Sequence, residues 1–397
     1  MRSTLVVGDL HLSRHTPRAV DHDLCALLGA HGGARVIFVG DFFDLSAESP
    51  RLPHDGAIAH GFEAHPEVRA ALARHVESGG EAVWLAGNHD PELGERDGKD
   101  EIARALGLSG AASVRARTSP WFFRDGGLHV EHGHLYDADN APAHPLASPR
   151  DTLGVHFVEE FIAPTGAFSY LNTNDKTPLE LFTSAFRLYG RRGPYVVYRY
   201  FHAAFSALGK SGPFAARPDA AAWDARLADF LVDAGLDGGA VERLVAERAA
   251  PTMHDFRATL ARLYLDRVAA TVAVMAGLAA FAAGQRSLGL ALGGAGLGGL
   301  ALSWSRGHDR YGGKVSERLD DGARRVARAT GAKLVVLGHA HAVADRDGYS
   351  NTASFAFPRG SEGRPFVQIE GSAEAPRAAR RFWPQRGAGV DGAKTRT

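Results

Sequence analysis

Cysteine is almost missing from this chain: Cys25 is the only one in 397 residues. A single thiol excludes a disulfide framework and a thiolate zinc site. Its setting, Asp23-Leu24-Cys25-Ala26-Leu27-Leu28, reads as the apolar face of a helix, which makes Cys25 a buried structural residue. Net charge is missing too, since 45 basic residues balance 45 acidic ones. A protein that grips duplex nucleic acid carries a basic excess to neutralise phosphates, so nucleic acid is not the expected partner. No leader is visible either. Met1-Arg2-Ser3 runs straight into a strand-like segment, and the expected location is cytoplasmic.

Histidine, by contrast, is plentiful at 19 residues, and several sit in five short motifs. These are Gly8-Asp9-Leu10-His11, Gly40-Asp41-Phe42-Phe43-Asp44, Gly87-Asn88-His89-Asp90, His132-Gly133-His134 and Gly338-His339-Ala340-His341. Each follows an apolar run that reads as a β-strand, in turn Leu5–Val7, Val36–Val39, Val83–Leu85, Leu128–Val130 and Leu334–Leu337. Open α/β sheets place reactive groups just beyond the carboxyl ends of their strands, so five such clusters can converge on one crevice. Helical patterns at Pro17–Ala30 and Pro66–Ser78 separate the early strands, which implies a sheet covered by helices.

Asp, His and Asn are ligands for divalent Mn, Fe or Zn. In Asp9-Leu10-His11 and in His339-Ala340-His341 the two side chains are two residues apart on an extended turn, so both can face one cation. Holding two cations about 3.5–4 Å apart needs a bridging carboxylate, and Asp41 is the natural choice. Such a pair lowers the pKa of a shared water and neutralises phosphoryl oxygens, which suffices for in-line attack on phosphorus.

Taken together and in order, the five motifs resemble the calcineurin-like metallophosphoesterases, whose signature is Asp-x-His, Gly-Asp-x-x-Asp, Gly-Asn-His-Asp/Glu, a further histidine and Gly-His-x-His. The resemblance implies a four-layer αββα core from residues 1–136 and 316–375, with two divalent cations, Mn²⁺ before Fe or Zn. It implies that Asp9, His11, Asp41 and His341 hold one cation, and that Asp41, Asn88, His132 and His339 hold the other. His132 fits the fourth ligand better than His134. The catalytic pair would be His89, beside the leaving-group oxygen, and Asp90, which would orient it. Asp44 would brace the loop, and Asn351 would support the ligands from behind. His15, His22, His31, His54, His60, His65 and His75 lie outside the motifs and read as solvated or capping residues.

Residues 137–315 break the αβ pattern and read as a mostly helical inserted cap. The stretch Phe182–Phe205 is rich in tyrosine and arginine, which suits a membrane interface, a single-stranded nucleic acid or the plain surface of a cap. Within the cap, Arg286 is the only charge between Val268 and Ser305. Two uncharged runs, Val268–Gly284 and Leu288–Trp304, meet at a polar turn, and a helix of roughly 17–25 residues crosses a bilayer. The hairpin at 268–305 is thus expected in the membrane, with flanking Arg and Lys keeping both ends on the cytoplasmic side. The alternative is a buried hairpin in a soluble protein. Residues 376–397 read as a flexible tail.

The expected reaction is hydrolysis of a phosphoester or pyrophosphate bond in a lipid-linked or nucleotide-linked substrate. The UDP-2,3-diacylglucosamine hydrolases of lipid A synthesis resemble the chain in carrying a helical cap at the same place, although they commonly have arginine where this chain has His89. A nuclease, a soluble small-molecule phosphatase and a metal-free scaffold are the alternatives.

Overall fold

The computed structural model describes residues 3–48, 56–167, 178–217, 219–234, 236–307 and 314–384. Eleven strands make two sheets among these residues. They are β1 (Thr4–Val7), β2 (Arg35–Val39), β3 (Glu81–Leu85), β4 (Ala116–Ser119), β5 (Phe122–Asp125), β6 (Leu128–Glu131), β7 (Leu334–Leu337), β8 (Ala344–Arg346), β9 (Tyr349–Asn351), β10 (Arg364–Gly371) and β11 (Pro376–Trp383). One sheet runs β11-β10-β1-β2-β3-β4 and the other β5-β6-β7-β9-β8. The strands that lead into the five motifs are parallel to their motif-bearing neighbours within each sheet: β1 with β2, β2 with β3, and β6 with β7.

Alternation along the strands explains the layering. Val6, Ile37, Val39, Val83 and Leu85 share one buried cluster with Val130, Leu334 and Val336 of the second sheet. Their neighbours Leu5, Val7, Val36, Phe38, Ala82 and Trp84 point the other way, into a cluster with Leu24, Leu27, Leu72 and Ile102. Those four come from helices Arg18–Ala30, Pro66–Glu77 and Gly98–Leu106. Behind the second sheet, Val335 and Leu337 pack on Leu319, Ala323 and Val326 of helix Lys314–Thr330. β1, β2, β3 and β7 therefore bury apolar side chains on both faces, as a sheet covered on both sides requires, whereas the outer face of β6 carries the buried polar pair His129 and Glu131. The expected αββα order is present.

Three details differ from the sequence-based expectation. The inserted region contributes to the outermost layer, because Val241 and Leu244 of helix Gly238–Ala246 join the cluster behind the second sheet. The residues after Ala375 are not a tail as far as Trp383: β11 pairs with β10 over eight positions, from Arg364↔Trp383 to Gly371↔Pro376. Its three arginines, Arg377, Arg380 and Arg381, hide an edge strand inside a basic composition, and residues 385–397 lie outside the described ones. Cys25 is only half-buried, on the margin of the first helix layer.

The hydrophobic hairpin consists of helices Leu265–Ala282 and Arg286–Ser305. Glycine makes the close packing possible. A Cβ at Gly277 would sit 2.5 Å from the backbone nitrogen of Gly293, and one at Gly296 would sit 2.6 Å from the carbonyl of Ala270. The opposite faces have no cover: Val272, Met275 and Leu278 are 61%, 62% and 61% exposed.

Candidate metal centre

All nine residues singled out from the motifs, Asp9, His11, Asp41, Asn88, His89, Asp90, His132, His339 and His341, converge at the carboxyl ends of β1, β2, β3, β6 and β7. The chain must turn sharply there to bring side chains inward. Seven non-glycine residues among the described ones have positive φ, and five of them are Asp9, His11, Asp41, His339 and His341. Left-handed backbone at such residues costs of order 1–3 kcal/mol each and persists where the surroundings over-determine it. Glycine clears the space between loops. A Cβ at Gly40 would meet the His132 ring at 2.5 Å, and one at Gly87 would run into the Asp41 carboxylate.

The ligand atoms fall into three overlapping groups, each within 4.8 Å: Asp9, His11 and His341; His11, Asp41 and His89; Asp41, His132 and His339. Asp41 Oδ2 is central, lying 3.2 Å from His132 Nε2, 3.8 Å from His11 Nε2 and 4.0 Å from His89 Nε2. His341 Nε2 lies 3.2 Å from Asp9 Oδ1 and 3.1 Å from His11 Nε2. Asn88 Oδ1 lies 3.0 Å from His132 Nε2. The donors are imidazole nitrogens and carboxylate or amide oxygens with no thiolate, and they fit a divalent cation of the Mn, Fe or Zn type.

Charge follows this crowding. Burial alone would raise the Asp41 pKa, but His132 and His89 outweigh it and hold the carboxylate well below its ordinary range. Burial would likewise lower His89 and His132, yet Asp41 raises both to about 9, helped at His89 by Asp44. His11 goes the other way, down to about 4, through burial and the neighbouring His89. A site that concentrates carboxylates and buried imidazoles in this way is built around positive charge.

Asp44 of the second motif and Asp90 of the third exchange the roles expected of them. Asp44, not Asp90, orients His89: its Oδ1 lies 2.8 Å from His89 Nδ1 and accepts from Ser46 Oγ at 2.8 Å. Asp90 braces the loop instead. Its carboxylate accepts the backbone N–H groups of Asp41, Phe42, Phe43 and Gly87 at 3.2, 2.7, 3.0 and 2.8 Å. The reason is reach, because Asp90 points back beneath the second-motif turn while Asp44 faces the imidazole.

His132 is fixed by Val39 O at 2.8 Å from its Nδ1, which turns Nε2 toward Asp41. His134 is buried beside it, ring centroids 5.4 Å apart, and joins none of the three groups. Asn351 Nδ2 donates to Gly338 O at 2.6 Å and so supports the last motif from behind. Of the other histidines, His15 and His22 are exposed, and His31 and His60 are partly so. His65 and His75 are buried instead of solvated, His65 between Asp21 and Ser13 O and His75 against Ala34 O. His54 lies outside the described residues. Asp137, Asn140 and Ser46 were not marked by any motif, although the dense polar run Asp137-Ala138-Asp139-Asn140 just beyond the fourth one was a usable signal.

The chain matches the calcineurin-like phosphoesterase family over residues 2–198. It belongs to that family. The match includes four of the five motifs, and the fold brings the fifth, Gly338–His341, to the same crevice. No curated protein matches the chain. Membership in the family, together with the clustered histidines and aspartates, makes this phosphoesterase a metal-dependent hydrolase.

Proposed function

We propose that this phosphoesterase hydrolyses a lipid-linked phosphoester or pyrophosphate at the cytoplasmic face of a membrane, with two divalent cations sharing Asp41. The observation that carries the two-cation reading is the position of Asp41 Oδ2, with imidazole nitrogens of His132, His11 and His89 ranged around it. Asp9, His11 and His341 would hold one cation with Asp41, and Asn88, His132 and His339 the other. Bound there, the cations would supply an activated water and neutralise phosphoryl charge.

The remaining work falls to side chains. Hydrolysis forms a bond from water oxygen to phosphorus and breaks one from phosphorus to the leaving oxygen, which then needs a proton. We assign that proton to His89 Nε2, a reading supported by Asp44, which holds Nδ1 and keeps the ring turned inward. A charge-assisted contact of this kind keeps His89 protonated until the leaving group takes the proton.

Support for the membrane half comes from the hairpin. Both helices are long and apolar enough to cross a bilayer, and little of their surface is buried. At the open end, Arg267 lies over Tyr264 at 4.7 Å and over Trp304 at 4.9 Å. Its Nη2 donates to Gly307 O at 2.7 Å, which ties the two helix ends together. An arginine among aromatic rings at the end of an apolar pair suits the headgroup level of a bilayer. Mn²⁺, Fe²⁺ and Zn²⁺ all suit this set of oxygen and imidazole donors, and Mn²⁺ is the cation we propose to test first.

The test is Mn²⁺-dependent hydrolysis of UDP-2,3-diacylglucosamine by the purified full-length protein, with Asp41→Asn as the blank. Turnover that vanishes in the variant supports the lipid-linked reading. Cleavage of an aryl phosphodiester without any turnover of the lipid nucleotide would retain the chemistry and reject this substrate. Recovery of the whole protein from detergent-free lysate as a soluble monomer would sink the membrane half.

A further inference from the structure

None of the five motifs includes the turn Asp137-Ala138-Asp139-Asn140, yet its three polar side chains are buried at the edge of the metal centre. Asp137 Oδ2 lies 3.1 Å from His339 Nε2 and accepts from Asn140 Nδ2 at 2.7 Å. Asn140 Oδ1 in turn accepts from Asn88 Nδ2 at 3.3 Å. One turn therefore touches two candidate ligands that arrive from separate loops, after β3 and after β7.

The consequences at each ligand are specific. With Nε2 engaged by Asp137, Nδ1 is the nitrogen His339 offers to a cation. A carboxylate on the far nitrogen of a ligating histidine fixes the ring and raises its basicity. With Nδ2 donated to Asn140, Asn88 turns its Oδ1 toward His132 and the cation position.

This turn opens the inserted region, and a later part of the same region grips it from its other side. Thr252 Oγ1 donates to Asp139 Oδ1 at 2.7 Å, and Arg262 Nε is hydrogen-bonded to Asp139 Oδ2. The backbone N–H of Thr252 also donates to Ala138 O at 2.7 Å. Arg262 lies just ahead of the hairpin helix that starts at Leu265.

We propose that Asp137 and Asn140, at the start of the inserted region, are positioning residues for the cation held by Asn88, His132 and His339, and that a later part of that region keeps them in place through Arg262 and Thr252. This inference rests on the two-cation reading above. It makes the insertion a structural part of the metal centre, besides whatever it does for substrate.

The experiment is calorimetric titration of the metal-stripped full-length protein with Mn²⁺, paired with metal content after dialysis and with thermal melting. Asp137→Ala and Asn140→Ala are expected to leave the first uptake unchanged and to weaken the second by about 10- to 100-fold. Asp137→Asn, which keeps an oxygen for His339, is expected to retain most of the affinity. Arg262→Met touches no ligand and is expected to weaken the same uptake. Should that single variant fold poorly, the pair Asp139→Asn with Arg262→Met removes both charges and tests the same link. Excess Mn²⁺ should restore aryl phosphodiester turnover in every variant.

Titrations that match the wild type in Asp137→Ala and Asn140→Ala would overturn the inference. So would turnover that stays low at saturating Mn²⁺ while affinity is normal, since that outcome belongs to a general folding role. If the wild type takes up one equivalent, the two-cation reading fails by itself. The comparison of variants for that one equivalent then still decides whether this turn positions its ligands.

Discussion

Asp44 Oδ1 and His89 Nδ1 lie 2.8 Å apart in a buried pocket, with Ser46 Oγ 2.8 Å from the same ring nitrogen. The imidazole is thereby fixed with Nε2 facing Asp41. Asp44→Asn is expected to lower turnover by about 10²-fold or more, in the range of general acid catalysis, without loss of bound metal. Steady-state rates and metal content, taken on one preparation, check it. A variant that lost its metal instead would mean that Asp44 serves the ligands and not His89.

Asp90 should behave in the opposite manner. Replacing it by alanine strands four buried backbone amides, each worth about 1–3 kcal/mol when left unsatisfied. A loss of at least about 3 kcal/mol of stability is expected, read as a lower urea midpoint at unchanged slope. If stability held while turnover fell, the role first assigned to Asp90 would be the right one.

Gly87→Ala tests how tightly the third motif is set against the second. The added methyl has nowhere to go except into the Asp41 carboxylate and backbone. Loss of Mn²⁺ uptake together with a lower melting temperature is expected. Normal uptake in Gly87→Ala would show that the two loops can part.

The far end of the first sheet carries a pH-dependent contact. Burial pushes the Glu81 pKa up, but hydrogen bonds from Arg35 and Arg117 outweigh it and leave the carboxylate below its usual range. A lowered folded pKa means that the unfolded chain takes up its proton first. The contribution is complete above the ordinary glutamate range and disappears as pH falls through the lowered value. Glu81→Gln is therefore expected to be less stable at neutral pH and to have a shallower acid limb below about 4.5. Unfolding curves of both proteins at several pH values decide it, and parallel curves would refute the assignment.

For the hairpin, polar replacement of Val272, Met275 and Leu278 is expected to abolish flotation with phospholipid vesicles while leaving aryl phosphodiester turnover intact. Unchanged flotation would place the attachment elsewhere on the molecule.

Much of the site could be read before any coordinates. A ligand in this fold sits at the end of a strand, and strand ends leave a local mark in apolar runs followed by glycine and a polar pair. Among the candidate ligands, Asp9, His11, Asp41, Asn88, His339 and His341 carry that mark, and His132 carries a variant of it with the glycine behind the histidine. Contacts between distant segments carry none. The exchange of roles between Asp44 and Asp90 depends on which carboxylate reaches around a turn, and both belong to motifs of the same kind. Asp137 and Asn140 acquire their partners only when residues 202 and 52 positions away fold beside them. β11 was hidden for another reason: an edge strand half open to water can be arginine-rich, so its composition resembles that of a loose tail.

β6 and β7 are direct neighbours in register, with Glu131 opposite Leu337. The inserted region thus departs and returns through a single doorway in the second sheet, and the sheet itself would tolerate almost any module hung there. Arg262 and Thr252 set the condition on that freedom. A graft that kept both junctions but lacked an equivalent grip on Asp139 would, on the role proposed for that turn, inherit the strands while loosening the hold on His339 and Asn88. A module inserted at this doorway therefore has to bring its own hold on the turn that carries Asp137 and Asn140.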